Sequence, residues 1–221
     1  MKRHQSGFTL VEIAIVLVII GLLLGGILKG QELVQNARVR NLADQQNGVA
    51  AAYFAFQDRY RALPGDYAQA AANIPNSVNA NCGGACVLGD SQITANERVF
   101  AWHHLTNAGF ISCPVCAADP TASAGTPGAN NSPVNAYNGF MLLEWNNNYA
   151  GNAVNVNHLK SGLQVPSNIM AEVDRKLDDG SPTTGHFRSS NTSPAGCTNA
   201  GPPVEWNSIN AVPSCESVNT F

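Results

Sequence analysis

The chain opens on a short polar stretch, Met1 to Gly7, and then turns apolar for 21 residues, Phe8 to Leu28, with one charge among them, Glu12. As a helix such a run is roughly 30 Å long, the thickness of a bilayer core. The helical period does not stop there. There is no proline between Lys29 and Leu63, and Val39, Leu42, Val49, Tyr53, Phe56, Tyr60 and Leu63 recur at intervals of 3, 7, 4, 3, 4 and 3. Arg40 and Asp44 form an i,i+4 pair on the polar side. Pro64-Gly65-Asp66 ends the pattern. The spacing therefore predicts one helix from about Phe8 to Arg61, 54 residues and roughly 80 Å long. Its first half would be membrane or filament core. Its second half would pack under a globular domain through the aromatic stripe. Gly21, Gly25, Gly26 and Gly30 are weak points in the helix, each costing up to about 1 kcal/mol against alanine. Their spacing also suits close helix packing.

Beyond the helix the signals are shorter. Residues 64–93 read as a connecting loop, with Pro64-Gly65, Asn76, Gly83-Gly84 and Gly89-Asp90 as turn signals. Thr94-x-x-Glu97 predicts a capping box opening a second helix, with Val99, Trp102 and Leu105 on its apolar face and Gly109 as its stop. Residues 117–136 read as a surface loop. Gly139 to Trp145 is the best strand and Ala153 to Leu159 a second. Asn168 to Leu177 reads as a short helix with Ser167 as N-cap, and Asp178-Asp179-Gly180 as a turn. Gly185 to Ser189 and Val204 to Trp206 are further strand candidates. The order predicts an α+β protein, a long N-terminal helix packed on a small antiparallel sheet with short helices. The divisions are 1–7 as a leader, 8–30 as a transmembrane or filament-core helix, 31–63 as its amphipathic continuation, and 64–221 as a globular head.

Composition narrows the function. The formal charge is −3, and without Lys2 and Arg3 it is −5, from 10 basic against 15 acidic residues. Nucleic-acid binding calls for a basic patch or stripe. The local group Arg38, Arg40, Arg59 and Arg61 reads as a solvated helix face, so no specific nucleic acid is expected. Charged residues make up only 12% of the chain, asparagine occurs 25 times, and the six cysteines are even in number. That composition fits a loop-rich exported domain.

The N-terminal segment is not a plain secretory signal, which would place its apolar block before the cleavage site. Here the only cleavage-like junction, Ser6-Gly7-Phe8, precedes that block. A simple signal anchor accounts for the basic flank, Lys2, Arg3 and His4, and for the apolar run. It does not account for Glu12, since a carboxylate inside a span costs about 2.5 kcal/mol or more and calls for a partner.

The run Gly7-Phe8-Thr9-Leu10-Val11-Glu12 with its aliphatic continuation resembles the prepilin leader of type IV pilins and type II secretion pseudopilins. The resemblance implies cleavage after Gly7 by a membrane prepilin peptidase, N-methylation of Phe8, and pairing of Glu12 with the terminal amine of a neighbouring subunit. It implies a homo-oligomeric filament, or one shared with other pilins, built by an inner-membrane assembly platform. Before assembly the chain would be a single-pass inner-membrane protein with its head in the periplasm, and afterwards part of a surface pilus or a periplasmic pseudopilus. The head is larger than that of a typical major pseudopilin, which favours a pilin or a minor component. The runs Trp102-His-His-Leu-x-x-Ala-Gly and Asp174-x-Lys-Leu-Asp-Asp-Gly-x-Pro-x-x-Gly185 are similar to runs in uncharacterised pilin-like proteins and name no activity. The rival of a different class is a membrane-anchored periplasmic binding or metal-binding domain.

For the cysteines, proximity favours Cys82–Cys86, Cys113–Cys116 and Cys197–Cys215 among 15 pairings, and the last resembles the C-terminal disulfide region of many pilins. A zinc site from those first four cysteines with His103 or His104 is the alternative. A redox Cys113-x-x-Cys116 is a third reading, without a thioredoxin-like setting around it. His103 and His104 read as one core-side and one exposed histidine. Asp174, Asp178 and Asp179 are the one dense acidic group and the candidate calcium ligands, against the simpler reading of a solvated helix end. No nucleophile elbow, phosphate loop or carboxylate dyad is present, so no enzyme and no cofactor are expected.

Overall fold

The computed structural model describes residues 9–81, 86–120, 125–151 and 154–221. These fall into two units, one ending at Arg38 and one spanning Val39–Phe221. Helix α1, Leu10–Tyr60, runs through both. Side chains from residue 9 to 38 are all exposed, as expected of a segment with no packing partner in its own chain. Among the described residues α1 is the one helix long and apolar enough to cross a membrane.

From Val39 onward α1 belongs to the head. The expected stripe is buried except at Tyr60, which is half-buried, with Val39 and Phe56 at 0% exposure and Leu42, Tyr53 and Leu63 nearly so. Two further helices pack here, α3 at Arg98–Asn107 and α4 at Ser167–Leu177, with a four-residue helix α2 at Ala70–Asn73 inside the predicted loop. The sheet comprises β1 at Leu142–Asn146, β2 at Val156–Lys160, β3 at Phe187–Ser189 and β4 at Ser217–Thr220. Its order is β1-β2-β4-β3, antiparallel throughout.

Leu143 pairs with Leu159 and Glu144 with His158. Successive side chains of a strand point to opposite faces, so the sheet has an apolar and a polar side. Leu143 and Leu159 join Met141, Trp102, Leu105, Tyr53 and Phe56 in the main core. A second cluster gathers Val39, Leu42, Ile169, Met170, Val173, Phe187 and Trp206 around Cys197 and Cys215.

Three expectations fail locally. Ser167 is not an N-cap: α4 starts on it, its hydroxyl donates to Asn207 O at 2.5 Å and accepts from Val212 N at 2.9 Å, and Pro166 holds the cap position. Val204–Trp206 is no strand, since Trp206 makes only an isolated bridge to Thr198. The strand that closes the sheet is β4, whose Ser-Val-Asn-Thr has almost no apolar alternation to betray it. Thr94 and Glu97 do bond, with Thr94 N and Oγ1 donating to Glu97 Oε2 at 2.7 and 2.6 Å, but in the turn before α3. Ala153, the expected start of the second strand, lies outside the described residues.

The many asparagines do the work of absent secondary structure. Asn135 donates to Ser161 O and accepts from the amides of Tyr137 and Gly139. Asn157 accepts from Ile93 N and donates to Ser91 O. The Asn135 amide satisfies buried loop backbone that would otherwise be left unpaired, and Asn157 ties the 91–93 segment to β2.

Candidate assembly site

Gly7 and Phe8, the expected cleavage and methylation residues, lie outside the described residues. The described site begins at Thr9, where the backbone N and Oγ1 both donate to Glu12 Oε2 at 2.8 Å. Glu12 N donates back to Thr9 Oγ1 at 3.3 Å. This is a closed capping box, satisfying donors that the first turn of a helix leaves orphaned. The Thr9-x-x-Glu12 spacing that signals it is present in the sequence. The carboxylate therefore has local donors in a lone chain, and it sits at the end of α1 where the helix dipole also favours negative charge.

In the head, the disulfides Cys113–Cys116 and Cys197–Cys215 are formed. Cys86 is also disulfide-bonded, and Cys82 lies outside the described residues. The Cys197–Cys215 bond closes a loop of 18 residues across the second cluster. The double variant Cys197→Ser/Cys215→Ser is expected to lose about 3 kcal/mol by the chain-entropy estimate, read as a lowered melting temperature of the oxidised protein.

The zinc reading fails on the histidines as well as on the thiols. Both rings are buried, contrary to expectation, His103 at 1% and His104 at 0% exposure. His104 Nδ1 accepts from Gly65 N at 3.0 Å, so Nε2 carries the proton, and it donates to Val78 O at 2.9 Å. His103 Nε2 accepts from Val78 N at 3.2 Å, and Nδ1 donates to the carbonyls of Cys116 and Ala118. Two neutral rings thus clamp Val78 by both its backbone groups and tie the Cys113–Cys116 turn to α3.

Burial, reinforced by the neighbouring His103, pushes His104 down to about 4. The unfolded ring takes a proton near pH 6.5, roughly its ordinary value. The folded state refuses that proton, so the contribution of His104 is complete above about pH 6.5 and is lost as the pH falls toward 4. Asp174, pushed up to about 6 mainly by burial, works the other way, because the native state keeps a proton that the unfolded chain releases. His104→Gln separates the two. Between about pH 7 and pH 5 the wild type is expected to lose about 2 kcal/mol more unfolding free energy than the variant, measured by denaturant titration at each pH.

Asp174, Asp178 and Asp179 do come together, offering oxygens within 4.8 Å of one another. Each also has protein donors. Trp206 Nε1 and Gly180 N donate to Asp174, His186 N and Phe187 N to Asp178, and Ser181 N and Thr184 Oγ1 to Asp179. These bonds explain the Asp174–Gly185 run as a turn that fastens α4 to β3. Gly185 is required there: its φ is +70°, and a Cβ would lie 1.9 Å from Asp178 Oδ2.

Residues 2–28 match the prokaryotic N-terminal methylation motif. That motif is the signature of type IV pilins and pseudopilins, so the N-terminal segment is similar to theirs and supports a pilin-like or pseudopilin-like protein. The match takes in the apolar start of α1, a helix long and apolar enough to cross a membrane, which fits a membrane-anchored protein. The match ends before Lys29 and does not reach the head. Neither the curated proteins nor the solved structures yield a match.

Proposed function

We propose that the chain is a subunit of a type IV pilus-like filament, made as a prepilin in the inner membrane with its head in the periplasm. A prepilin peptidase cuts after Gly7 and methylates Phe8, and an inner-membrane platform assembles the product through α1. The observation that carries this reading is Glu12, the one charge in 21 apolar residues, five positions after Gly7 in a matched methylation motif. A buried carboxylate and a buried ammonium each carry a large desolvation penalty that mutual pairing offsets. The described bonds from Thr9 both fall on Oε2. A carboxylate accepts at both oxygens, so the terminal ammonium of a neighbouring copy binds without displacing the cap.

A pseudopilin of a type II secretion system is the second reading, because the same motif marks both. Mass spectrometry of the N-terminal peptide, from sheared filaments and from membranes, separates them. Abundant N-methylated Phe8 in the sheared fraction is the expected result. Processed protein confined to the membrane favours the pseudopilin. An uncut N-terminus in cells containing the peptidase overturns both and leaves a membrane-anchored periplasmic domain.

A further inference from the structure

The polar side of the sheet holds a buried charge cluster that filament assembly does not use. Glu144 on β1, His158 and Lys160 on β2, and Glu216 just before β4 are all at most 5% exposed. Lys160 Nζ is 2.9 Å from Glu144 Oε1 and 3.5 Å from Glu216 Oε2, and an Arg98 guanidinium nitrogen is 2.7 Å from Glu144 Oε2. The hydroxyls of Ser190 and Thr192 donate to Glu216 Oε2 at 2.9 and 2.6 Å.

His158 is the incomplete member. Its Nδ1 stands 3.0 Å from Val156 O, and a carbonyl only accepts, so Nδ1 carries a proton. Its Nε2 is buried without a hydrogen-bond partner, 3.7 Å from Glu144 Oε1. In the neutral ring that nitrogen turns a lone pair toward a carboxylate. With a second proton it becomes a donor aimed at the same oxygen.

A strap of two loop segments, 147–151 and 189–193, lies over the cluster. Asn191 N donates to Asn148 O, Asn191 Nδ2 to Tyr149 O, and Ala150 N to Ser189 O. Ser190 N donates to Glu216 O, tying the strap to the cluster. The Tyr149 ring meets His158 edge to face with centroids 5.8 Å apart, and the Arg188 guanidinium lies 5.5 Å from the Tyr149 centroid.

We propose that His158 is a proton-sensing latch: a proton taken up on Nε2 makes it a third cation on Glu144 and tightens the strap over the sheet. The groups that bear on it come from every packed element. Glu144 faces it from β1, Lys160 lies on its own strand, Arg98 reaches the cluster from α3, and Glu216 enters ahead of β4. Tyr149 closes it from the strap, and Arg188 of β3 lies on the Tyr149 ring. The ion-paired groups, two acids and two bases, balance one another, and Arg188 adds a further positive charge at the Tyr149 ring, so the imidazolium joins surroundings that are already net positive. Its attraction to Glu144 and Glu216 works against repulsion from Lys160 and Arg98. The expected direction is a tighter strap at acid pH, opposite to the effect of His104.

The test is NMR of the full chain in detergent micelles between about pH 5 and pH 8, the range in which histidine charge changes. The ¹⁵N ring signals of His158 report its protonation. Hydrogen exchange at the Ala150 and Asn191 amides, corrected for intrinsic pH dependence, reports the strap. Both ring nitrogens are expected to be protonated at the acid end, with strap protection about tenfold higher than at the alkaline end, within the usual range for coupling between two sites. His158→Gln and Glu144→Gln should each abolish that step. A ring protonated on Nδ1 alone at both ends overturns the proposal, as does an unchanged step in folded Glu144→Gln. If that variant does not fold, the wild-type ring signals decide.

Discussion

Glu12→Ala is expected to give a chain that is cut after Gly7, stays in the membrane and enters no filament. Two losses combine. The capping box opens, which costs the first turn of α1 about 1 kcal/mol. The larger loss is the partner of the neighbouring ammonium. Breaking a buried ion pair from one side costs about 3–5 kcal/mol, more than about a hundredfold in the constant for adding a subunit. Glu12→Gln separates the two, because its amide oxygen still accepts from Thr9 while the charge is gone. Sheared filament per cell, normalised to processed protein in the membrane, is the measurement. Both variants should fall to background, whereas Thr9→Val, which weakens the cap and keeps the charge, should retain much of the wild-type yield. Wild-type assembly by Glu12→Gln would show that the carboxylate serves α1 locally and that charge pairing does not drive assembly.

The parts of this protein that were legible in its sequence are those where one residue class repeats at one period. The apolar run, the Val39–Leu63 stripe, α3 and α4 all have a helical period and a definite stop. The parts that stayed hidden depend on partners distant in sequence. β4 lies inside the sheet, yet only Val218 in it is apolar, because its neighbours Asn219 and Ser217 pair with Phe187 and Ser189 across the ladder. The charge cluster was hidden for the same reason. Glu144 and His158 face one another only once β1 and β2 are in register, and nothing local to either residue gives that register. The two adjacent histidines looked like one inside and one outside, since neighbours on a helix differ in direction by about 100°. Both are buried because α3 is covered on two sides, by Val78 and by the Cys113–Cys116 turn. Thr9 is the instructive case at the assembly site. Its Thr-x-x-Glu pattern is local and readable, and it gives Glu12 a partner within its own chain as well as the one the apolar run demands from a second subunit.

Phe56→Ala is expected to be the most destabilising single truncation on α1, at about 3–5 kcal/mol. Phe56 is fully buried. Its ring lies within 6.3 Å of the rings of Tyr60, Tyr67, Phe110 and His104, nearly parallel to the last. Truncation would leave a cavity walled by these rings, one of which, His104, is held in place by its bonds to Gly65 and Val78. Folded domains are typically stable by only about 5–15 kcal/mol, so the loss is a large share of the whole. The control lies two residues away. Phe54 is 50% exposed on the same helix and touches Tyr53 and Phe221 at its edges. Phe54→Ala is expected to cost about 1 kcal/mol or less, the range of a half-buried side chain. Denaturant unfolding of the full chain in detergent micelles, followed by tryptophan fluorescence, compares the two. Trp102, buried in the same core as Phe56, reports the transition directly. Equal losses would mean that the head does not depend on α1 through this stripe. A loss confined to Phe56 would show that the head's core depends on α1 through the buried side of this stripe.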